Sequence, residues 1–335
     1  MNKTAVVILN WNGKALLEEF LPSVIAHSAN ATVYVADNAS TDDSVAFLEQ
    51  NYPSVKLIVN SGNYGFAKGY NEALKLVEED IYVLVNSDVE VTENWLKPAL
   101  ALFNADAETG IVQPKILDYK NKSMFEYAGA AGGFIDKYGY PFCRGRIFET
   151  IEKDHGQYNQ TAEIFWASGA CFFIRKNVYR ELGGFDEDFF AHQEEIDLCW
   201  RAFNKGYKAV FCPESVIYHV GGATLSTANP RKTFLNFRNS LWMLLKNLPT
   251  AKLFPVLFAR LVLDGIAGMR FLAQGEPKHF LAILKAHYFF YAKLFYFLKK
   301  RESNQKRHYY KTDSIVIKYF LKNGKIFEEP INNTL

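Results

Sequence analysis

Residues 1–90 alternate short apolar stretches with amphipathic ones, and this rhythm constrains the fold more than any other feature of the sequence. Strands are predicted over Thr4–Leu9, Thr32–Ala36, Val55–Val59 and Ile81–Val85, because each is short and rich in β-branched residues. Helices are predicted near Lys14–His27, after "STDD", and after the glycine-rich stretch "SGNYGFAKGY". This order predicts an α/β fold with a mostly parallel, Rossmann-like sheet flanked by helices.

Polar side chains follow the four predicted strands at their carboxyl ends. They are Asn10, Asp37, Asn60 and Asp88. Ligands of open α/β sheets bind outside the carboxyl ends of the strands. We therefore expect these side chains to line one crevice.

The character of the chain changes near residue 230. Residues 231–335 contain 19 Lys and Arg against 6 Asp and Glu, whereas residues 1–230 contain 19 against 30. The basic part also has long aromatic and aliphatic stretches, but charged residues interrupt each one before the roughly 20 apolar residues of a membrane span. We predict an α/β domain over 1–230 and a helical region over 231–335 that lies on an anionic membrane surface.

A helical subdomain or a dimer interface is the alternative interpretation of region 231–335. A nucleic acid is another anionic partner that a basic region suggests, but the interleaved aliphatic runs argue against it. The four cysteines, Cys143, Cys171, Cys199 and Cys212, lack zinc spacing and are expected to be buried thiols of a reducing compartment. The N-terminal apolar run reaches Asn10 too soon for a signal peptide, so a cytoplasmic location is expected.

The two aspartates at strand ends each have a functional and a structural interpretation. Asp88, in "VNSDV", can bind a divalent cation held by a nucleoside diphosphate, or it can simply close a turn. Asp37, in "DNASTD", can accept hydrogen bonds from a nucleobase or a ribose, or it can cap the following helix. Neither interpretation is decided by the residue alone.

Three further sets of residues suggest a functional role, but none of them is specific for one function. Gly62, Gly65 and Gly69 do not match a dinucleotide fingerprint, but they allow the backbone to approach a phosphate near Lys68. In "HQEEIDLCWR", a carboxylate of Glu194 or Glu195 can act as general base, or the acids can form a solvated helix start. His219, in "YHVGG", is either a metal ligand or a structural histidine.

Taken in order, six motifs resemble glycosyltransferase family 2, in its bacterial rhamnosyltransferase-like branch. They are "VVILNWNG", "ADNASTDDS", "NYGFAKGYN", "VNSDV", "GGFDEDFFAHQEEIDLCWR" and "YHVGG", and they span about residues 3–240. The resemblance implies a GT-A fold and an inverting transfer of a sugar from a nucleotide-diphosphate sugar to a hydroxyl group.

The resemblance also implies roles for individual residues. It places the nucleotide sugar against Asn10, Asp37, Asn63, Gly65, Lys68, Asn86 and Asp88. It makes Asp88 and His219 the ligands of a Mg²⁺ or Mn²⁺ ion, with Asn86 standing where many relatives have a second carboxylate. It makes Glu195 the catalytic base, with Glu194 as the second candidate, and it assigns Ser168, Gly169 and Asp186 to the acceptor side.

The basic region suggests an acceptor that is itself at a membrane. A saccharide linked to polyprenyl diphosphate at the inner face of the plasma membrane fits this expectation, and Arg238 is well placed in the sequence to meet its diphosphate. Rhamnose is one candidate sugar, in a pathway of cell-surface polysaccharide synthesis. A nucleotidyltransferase that makes nucleotide sugars and a non-catalytic nucleotide-sugar or membrane-binding module are the competing hypotheses.

Overall fold

The computed structural model of the chain describes residues 2–221 and 229–328. Gly222, the last residue of "YHVGG", lies outside the described residues, as do both ends of the chain. The strands are β1 (Thr4–Asn10), β2 (Thr32–Asp37), β3 (Lys56–Val59), β4 (Ile81–Asn86), β5 (Val89–Val91), β6 (Thr109–Asp118), β7 (Gly133–Ile135), β8 (Pro141–Cys143), β9 (Arg146–Ile147), β10 (Thr150–Ile151), β11 (Ala162–Ile164), β12 (Cys171–Arg175) and β13 (Lys208–His219).

The helices are α1 (Lys14–His27), α2 (Ser44–Asn51), α3 (Gly65–Leu74), α4 (Leu96–Ala105), α5 (Lys176–Glu181), α6 (Glu194–Lys205), α7 (Pro230–Asn247), α8 (Thr250–Ala273), α9 (Pro277–Ala292), α10 (Leu294–Lys299) and α11 (Ile315–Phe320). A 3₁₀ turn at Glu187–Phe189 precedes α6. Gly206, with a φ of 96°, ends α6 in the left-handed conformation, as its position in the sequence predicted.

The central sheet has nine strands. Its order is β11-β13-β6-β12-β4-β1-β2-β3, with β5 paired to β13. The neighbours β4, β1, β2 and β3 are parallel, whereas β12 is antiparallel to both β4 and β6. The α/β fold predicted from the sequence is confirmed, and the four predicted strands differ from the observed ones by one residue at an end.

The register brings the polar strand ends to one level. Asn10 lies opposite Asp37 in the β1–β2 pair, and Leu9 lies opposite Asn86 in the β1–β4 pair. Helix α1 covers one face of the sheet with Leu17, Leu21 and Val24. The predicted crevice at the carboxyl edge of the parallel strands is therefore formed.

Helix α7 packs into the core of the α/β domain. Its Asn229 side chain accepts a hydrogen bond from the Arg231 N–H and caps the helix, and Pro230 occupies the first turn. Buried residues Leu241, Trp242 and Leu244 share one apolar cluster with residues of the α/β domain such as Trp200. The boundary predicted at residue 230 thus marks a change of composition, whereas the packing is continuous across it.

Helices α8 and α9 form a hairpin that contacts α7. Among the residues that the structure describes, no helix has the length and apolar character needed to cross a membrane. The four cysteines are free and buried, as expected.

Candidate active site

Asp37 is the centre of a hydrogen-bond network at the ends of β1 and β2. Its carboxylate accepts hydrogen bonds from Asn10 Nδ2 at 2.9 Å, from Ser40 N at 2.7 Å and from Ser40 Oγ at 2.6 Å. The side chain is fully buried. In this structure Asp37 therefore orders the loop above it, and three of the roughly four acceptor positions of its carboxylate are occupied.

Helix α3 begins at the glycine-rich turn. Gly65 has a φ of +71°, which favours glycine, and a Cβ added there would lie 2.7 Å from the Phe190 ring. Asn63 Oδ1 accepts a hydrogen bond from Gly65 N at 3.0 Å, and the Lys68 Nζ lies 4.5 Å from the centre of the Tyr64 ring. Asn38, which follows β2, donates from its Nδ2 to the Gly65 carbonyl at 2.9 Å, so the start of α3 lies beside the end of this strand.

Asp88 and His219 meet at the edge of the sheet, although 131 positions separate them in the sequence. Asp88 Oδ1 lies 3.2 Å from His219 Nε2, because β5 and β13 pair through Val89 and His219. Both side chains are almost completely buried. Neighbouring ligands of an octahedral Mg²⁺ ion are about 3 Å apart, so this carboxylate and imidazole fit as two ligands of one cation.

Glu126 faces the other nitrogen of the same imidazole. Its Oε1 lies 3.4 Å from His219 Nδ1, and its Oε2 accepts a hydrogen bond from Ala128 N. Burial alone would lower the pKa of His219, but Asp88 and Glu126 together raise this pKa to about 10. The two carboxylates thus make this position favourable for a positive charge.

Glu126 and Asp88 approach opposite nitrogens of the ring, so they do not converge on one point. Accordingly, in residues 2–221 and 229–328 no three His, Cys, Asp or Glu side chains are grouped to hold a metal ion. Protein ligands for a cation here would be Asp88 and His219, and the remaining positions would belong to water and the ligand's phosphates. Glu126 was missed by sequence reasoning, because its glycine-rich loop carries no motif and only the fold brings it to His219.

Glu194 and Glu195 open helix α6, the first buried and the second partly exposed. Burial raises the pKa of Glu195 to about 7. Burial and the neighbouring Glu195 raise the pKa of Glu194 as well, and its Oε2 has no hydrogen-bond partner. These carboxylates are not the solvated helix start that composition also allowed.

The loop before β12 connects the two parts of the site. A Cβ added at Gly169 would lie 3.8 Å from Glu195 Cγ and 3.4 Å from Phe66 Cζ. The next residue, Ala170, accepts a hydrogen bond from Asn86 N at the end of β4. The loop therefore lies between the carboxylates of α6 and the end of β4, as the predicted acceptor side requires.

Three residues predicted for the acceptor side have internal contacts instead. Ser168 is fully buried and its hydroxyl accepts a hydrogen bond from Ala170 N. Asp186 accepts hydrogen bonds from Lys246 and Lys300, both at 2.7 Å. The Arg238 guanidinium donates to the carbonyl oxygens of residues 188 and 189 and lies 4.3 Å from the Trp242 ring centre.

These contacts show what Ser168, Asp186 and Arg238 bind in this structure, and their acceptor-side role stays a prediction. Asp186 lines a separate open cleft of about 710 Å³ with Lys68 and Lys300, and Glu195 is absent from its wall. Gly169 alone of the predicted acceptor set lies beside a candidate catalytic carboxylate. The sequence alone did not reveal the contacts of Asp186 and Arg238 with Lys300 and the Phe189 carbonyl, because these partners are 114 and 49 positions away.

Polar side chains at the ends of parallel strands, with a carboxyl group of raised pKa at the start of a neighbouring helix, are typical of an α/β enzyme. A model of the family described as "Glycosyltransferase like family 2" matches residues 2–238. The chain belongs to this family and is a glycosyltransferase. The resemblance read from the six motifs is confirmed, and the nucleotidyltransferase and non-catalytic hypotheses are not favoured.

Individual relatives agree with this classification. Over 231 residues the chain is 26% identical to the N-acetylglucosaminyl-diphospho-decaprenol L-rhamnosyltransferase of Mycobacterium tuberculosis (strain ATCC 25618 / H37Rv). The matched region covers 64% of this chain and 75% of the relative. The crystal structure of GalNAc-T7 with UDP, GalNAc and Mn²⁺ has a TM-score of 0.60 at 16% identity, covering 75% of this chain and 49% of that one. The mannosyltransferase PcManGT from Pyrobaculum calidifontis, in complex with GDP-Man and Mn²⁺, has a TM-score of 0.53 at 16% identity and covers 86% of each chain. These two structures establish the shared GT-A fold.

Proposed function

We propose that this enzyme transfers a sugar, with inversion at the anomeric carbon, from a nucleoside-diphosphate sugar to a hydroxyl group of a lipid-linked saccharide. The observation that carries the proposal is Glu195. Its side chain lies beside the loop at Gly169, and burial raises its pKa to about 7. A carboxylate with such a pKa is a competent general base near neutral pH.

In the proposed reaction, the acceptor hydroxyl binds between Gly169 and Glu195. Glu195 removes the hydroxyl proton while the oxygen attacks the face of the anomeric carbon opposite the diphosphate. One carbon–oxygen bond forms, the bond to the diphosphate breaks, and the nucleoside diphosphate leaves with the electron pair. A single displacement inverts the configuration and needs no covalent intermediate, in contrast to a two-carboxylate retaining mechanism.

The donor occupies the crevice at the strand ends. Asn10, Asp37, Asn63 and Gly65 form its nucleotide side, and Lys68 and Asn86 flank the diphosphate and sugar. Asp88 and His219 would hold a divalent cation, Mg²⁺ or Mn²⁺, and when bound this cation would neutralise the charge that develops on the leaving diphosphate. The Mn²⁺ in the two structural neighbours supports this cofactor class.

The identity of the sugar and acceptor is proposed from the mycobacterial relative. That protein is an L-rhamnosyltransferase acting on a diphospho-decaprenol-linked N-acetylglucosamine. We propose dTDP-rhamnose as donor and a polyprenyl-diphosphate-linked saccharide as acceptor, in cell-surface polysaccharide synthesis.

A donor and acceptor panel tests this proposal. The purified full chain is incubated with dTDP-rhamnose, UDP-GlcNAc, UDP-glucose or GDP-mannose, with Mg²⁺ or Mn²⁺, and with polyprenyl-diphosphate N-acetylglucosamine. The product's anomeric configuration is read by NMR. Inverted transfer from one of these donors is expected, whereas a retained configuration would contradict the single-displacement mechanism.

The surface of the α8–α9 hairpin supports a membrane location for the acceptor. Exposed apolar residues recur at helical spacing along α8, at Phe254, Phe258, Val262, Ile266 and Met269. A second row follows along α9 and α10, at Leu281, Leu284, Tyr288, Tyr291 and Phe295. Exposed Arg270, Lys278, Lys285 and Lys299 accompany these rows.

The polarity of α8 is the reverse of that of a helix facing water. Two of its four charged residues, Arg260 and Asp264, are buried near its middle, and Arg260 Nε donates to Asp264 Oδ1 at 2.8 Å. Its apolar Phe254 and Phe258 are 79% and 61% exposed. We therefore assign these rows to the acyl boundary of an anionic bilayer, at the cytoplasmic face of the plasma membrane.

Vesicle flotation tests this assignment. The double variant Phe258→Glu/Leu284→Glu places two carboxylates on the apolar rows, and Ala46→Glu on exposed α2 is the matched control. With vesicles containing phosphatidylglycerol, the control is expected to float like the wild type and the double variant to stay at the bottom. If flotation is unchanged while the oligomeric state alters, these rows are a protein interface and the membrane assignment is wrong.

A further inference from the structure

The segment Phe189–Gln193, which leads into α6, has an unusual backbone. Phe190, His192 and Gln193 have φ values of 66°, 69° and 72°, in the left-handed region that side chains other than glycine rarely adopt. Such a backbone conformation is unfavourable for residues other than glycine, so the segment must be held by its surroundings. Glu194 and Glu195 follow it directly.

Asn239 of α7 holds this segment. Its buried Nδ2 lies within hydrogen-bond distance of three carbonyl oxygens, those of Phe189 at 3.0 Å, Ala191 at 2.9 Å and His192 at 2.7 Å, so its two N–H groups serve three acceptors and one of them is shared. Its Oδ1 accepts a hydrogen bond from Arg238 Nε at 2.9 Å, which orients the amide. One side chain from the C-terminal region thus satisfies three carbonyls of the strained segment.

The same segment also contacts the donor side of the site. The Phe190 carbonyl accepts hydrogen bonds from Phe66 N at 3.0 Å and Ala67 N at 3.4 Å, at the start of α3. The segment therefore lies between α3, α6 and α7. A change in its backbone would move the first turn of α6 relative to α3.

We propose that Asn239 is a positioning residue for the catalytic base: by holding Phe189–Gln193 in its left-handed conformation, it sets the place of Glu195 relative to the donor. This proposal rests on the proposed function in one respect, the role of Glu195 as base. Asn239 itself does not touch the substrate.

A double-mutant cycle between Asn239 and Gln193 tests the proposal. Glycine adopts the left-handed conformation without the penalty of other residues, so Gln193→Gly makes the conformation of residue 193 less dependent on Asn239. Transfer rates are measured for the wild type, Asn239→Ala, Gln193→Gly and the double variant. Asn239→Asp is measured beside the cycle. Its matched control is Asn51→Asp, which makes the same change at the exposed end of α2.

Asn239→Ala is expected to lower kcat by roughly 10–100-fold, because a displacement of about 1 Å at a reacting group has effects of this size. The KM for the donor should change much less, since the strand ends are not altered. In the Gln193→Gly background the same substitution should cost at least about threefold less. Asn239→Asp should be at least as damaging as alanine, because it turns an oxygen toward three carbonyls, while Asn51→Asp should be neutral.

An equal loss of kcat in both backgrounds would overturn the proposal, as would a loss confined to the donor KM. If Asn239→Ala does not fold, Asn239→Ser, which keeps a smaller donor, enters the same cycle with the same criteria. Failure of the proposed function is seen separately, as full activity of Glu195→Gln. The cycle reports only the coupling between Asn239 and the backbone of the segment.

Discussion

Replacing Glu195 by glutamine should abolish transfer and at the same time stabilise the fold above neutral pH. Burial raises the pKa of Glu195 from its ordinary 4.5 to about 7, so the folded state binds this proton more tightly than the unfolded state does. The stability that the protonated carboxyl contributes is complete below pH 4.5 and is lost as the pH rises toward 7. Glutamine resembles the neutral carboxyl and cannot ionise, so the variant does not undergo this loss.

The size of the effect follows from the two pKa values. A difference of about 2.5 pH units corresponds to about 3 kcal/mol at pH 8, where both states of the wild type are ionised. At pH 6 the difference is about 2 kcal/mol, and near pH 4 it vanishes. For a chain of this length, 3 kcal/mol raises Tm by about 4 °C.

The assay combines denaturant unfolding at pH 4.5, 6 and 8 with transfer kinetics on the same preparations. Glu49→Gln, on the exposed face of α2, is the control for the loss of one carboxylate and should change neither quantity. Wild-type kcat/KM should rise with pH through about 7, since the base must be ionised. Full transfer activity in Glu195→Gln would refute the base assignment, and a stability gain independent of pH would refute the electrostatic reasoning.

Two further substitutions probe the cation site and the junction with the C-terminal helices. Asp88→Asn should weaken the Mg²⁺- or Mn²⁺-dependent binding of the nucleoside diphosphate by about 10-fold or more in calorimetry. An unchanged metal requirement would remove Asp88 from the cation site. Lys246→Met should lower the free energy of unfolding by about 3 kcal/mol, because it removes a cation shared by the buried carboxylates of Asp186 and Asp197. A variant as stable as the wild type in denaturant unfolding would show that these carboxylates do not depend on Lys246.

The parallel half of the sheet could be predicted from the sequence because its signals are local. Strands β1 and β4 are continuous apolar stretches, and each ends where the chain becomes polar at Asn10 and Asn86. Parallel pairing then brings the strand ends together without further information. The place of Asp37 at the end of β2 and the strand that precedes Asp88 were therefore predicted correctly.

The contacts of single side chains could not be predicted in this way. Asp37 has the expected position, but its carboxylate accepts three hydrogen bonds from Asn10 and Ser40, which only the loop geometry shows. Arg238 was predicted to meet the diphosphate of the acceptor because it directly follows the α/β domain in the sequence. Its actual acceptors are carbonyls of the segment before α6, about 50 positions away, and no local pattern encodes that contact.

The three acids of α6 show how the C-terminal helices decide which carboxylate can act as base. Burial alone would raise the pKa of Asp197, but Lys246, Arg201 and Asn247 surround its carboxylate and lower this pKa to about 2. Asp197 is therefore permanently ionised, paired and too weakly basic to accept a proton from a hydroxyl group. Burial instead raises the pKa of Glu195, two residues earlier on the same helix, so this carboxylate has the higher basicity. Because Lys246 and Asn247 belong to α7, whose Asn239 contacts the segment before α6, the C-terminal region lowers the basicity of Asp197 and leaves Glu194 and Glu195 as the acids of α6 with raised pKa values.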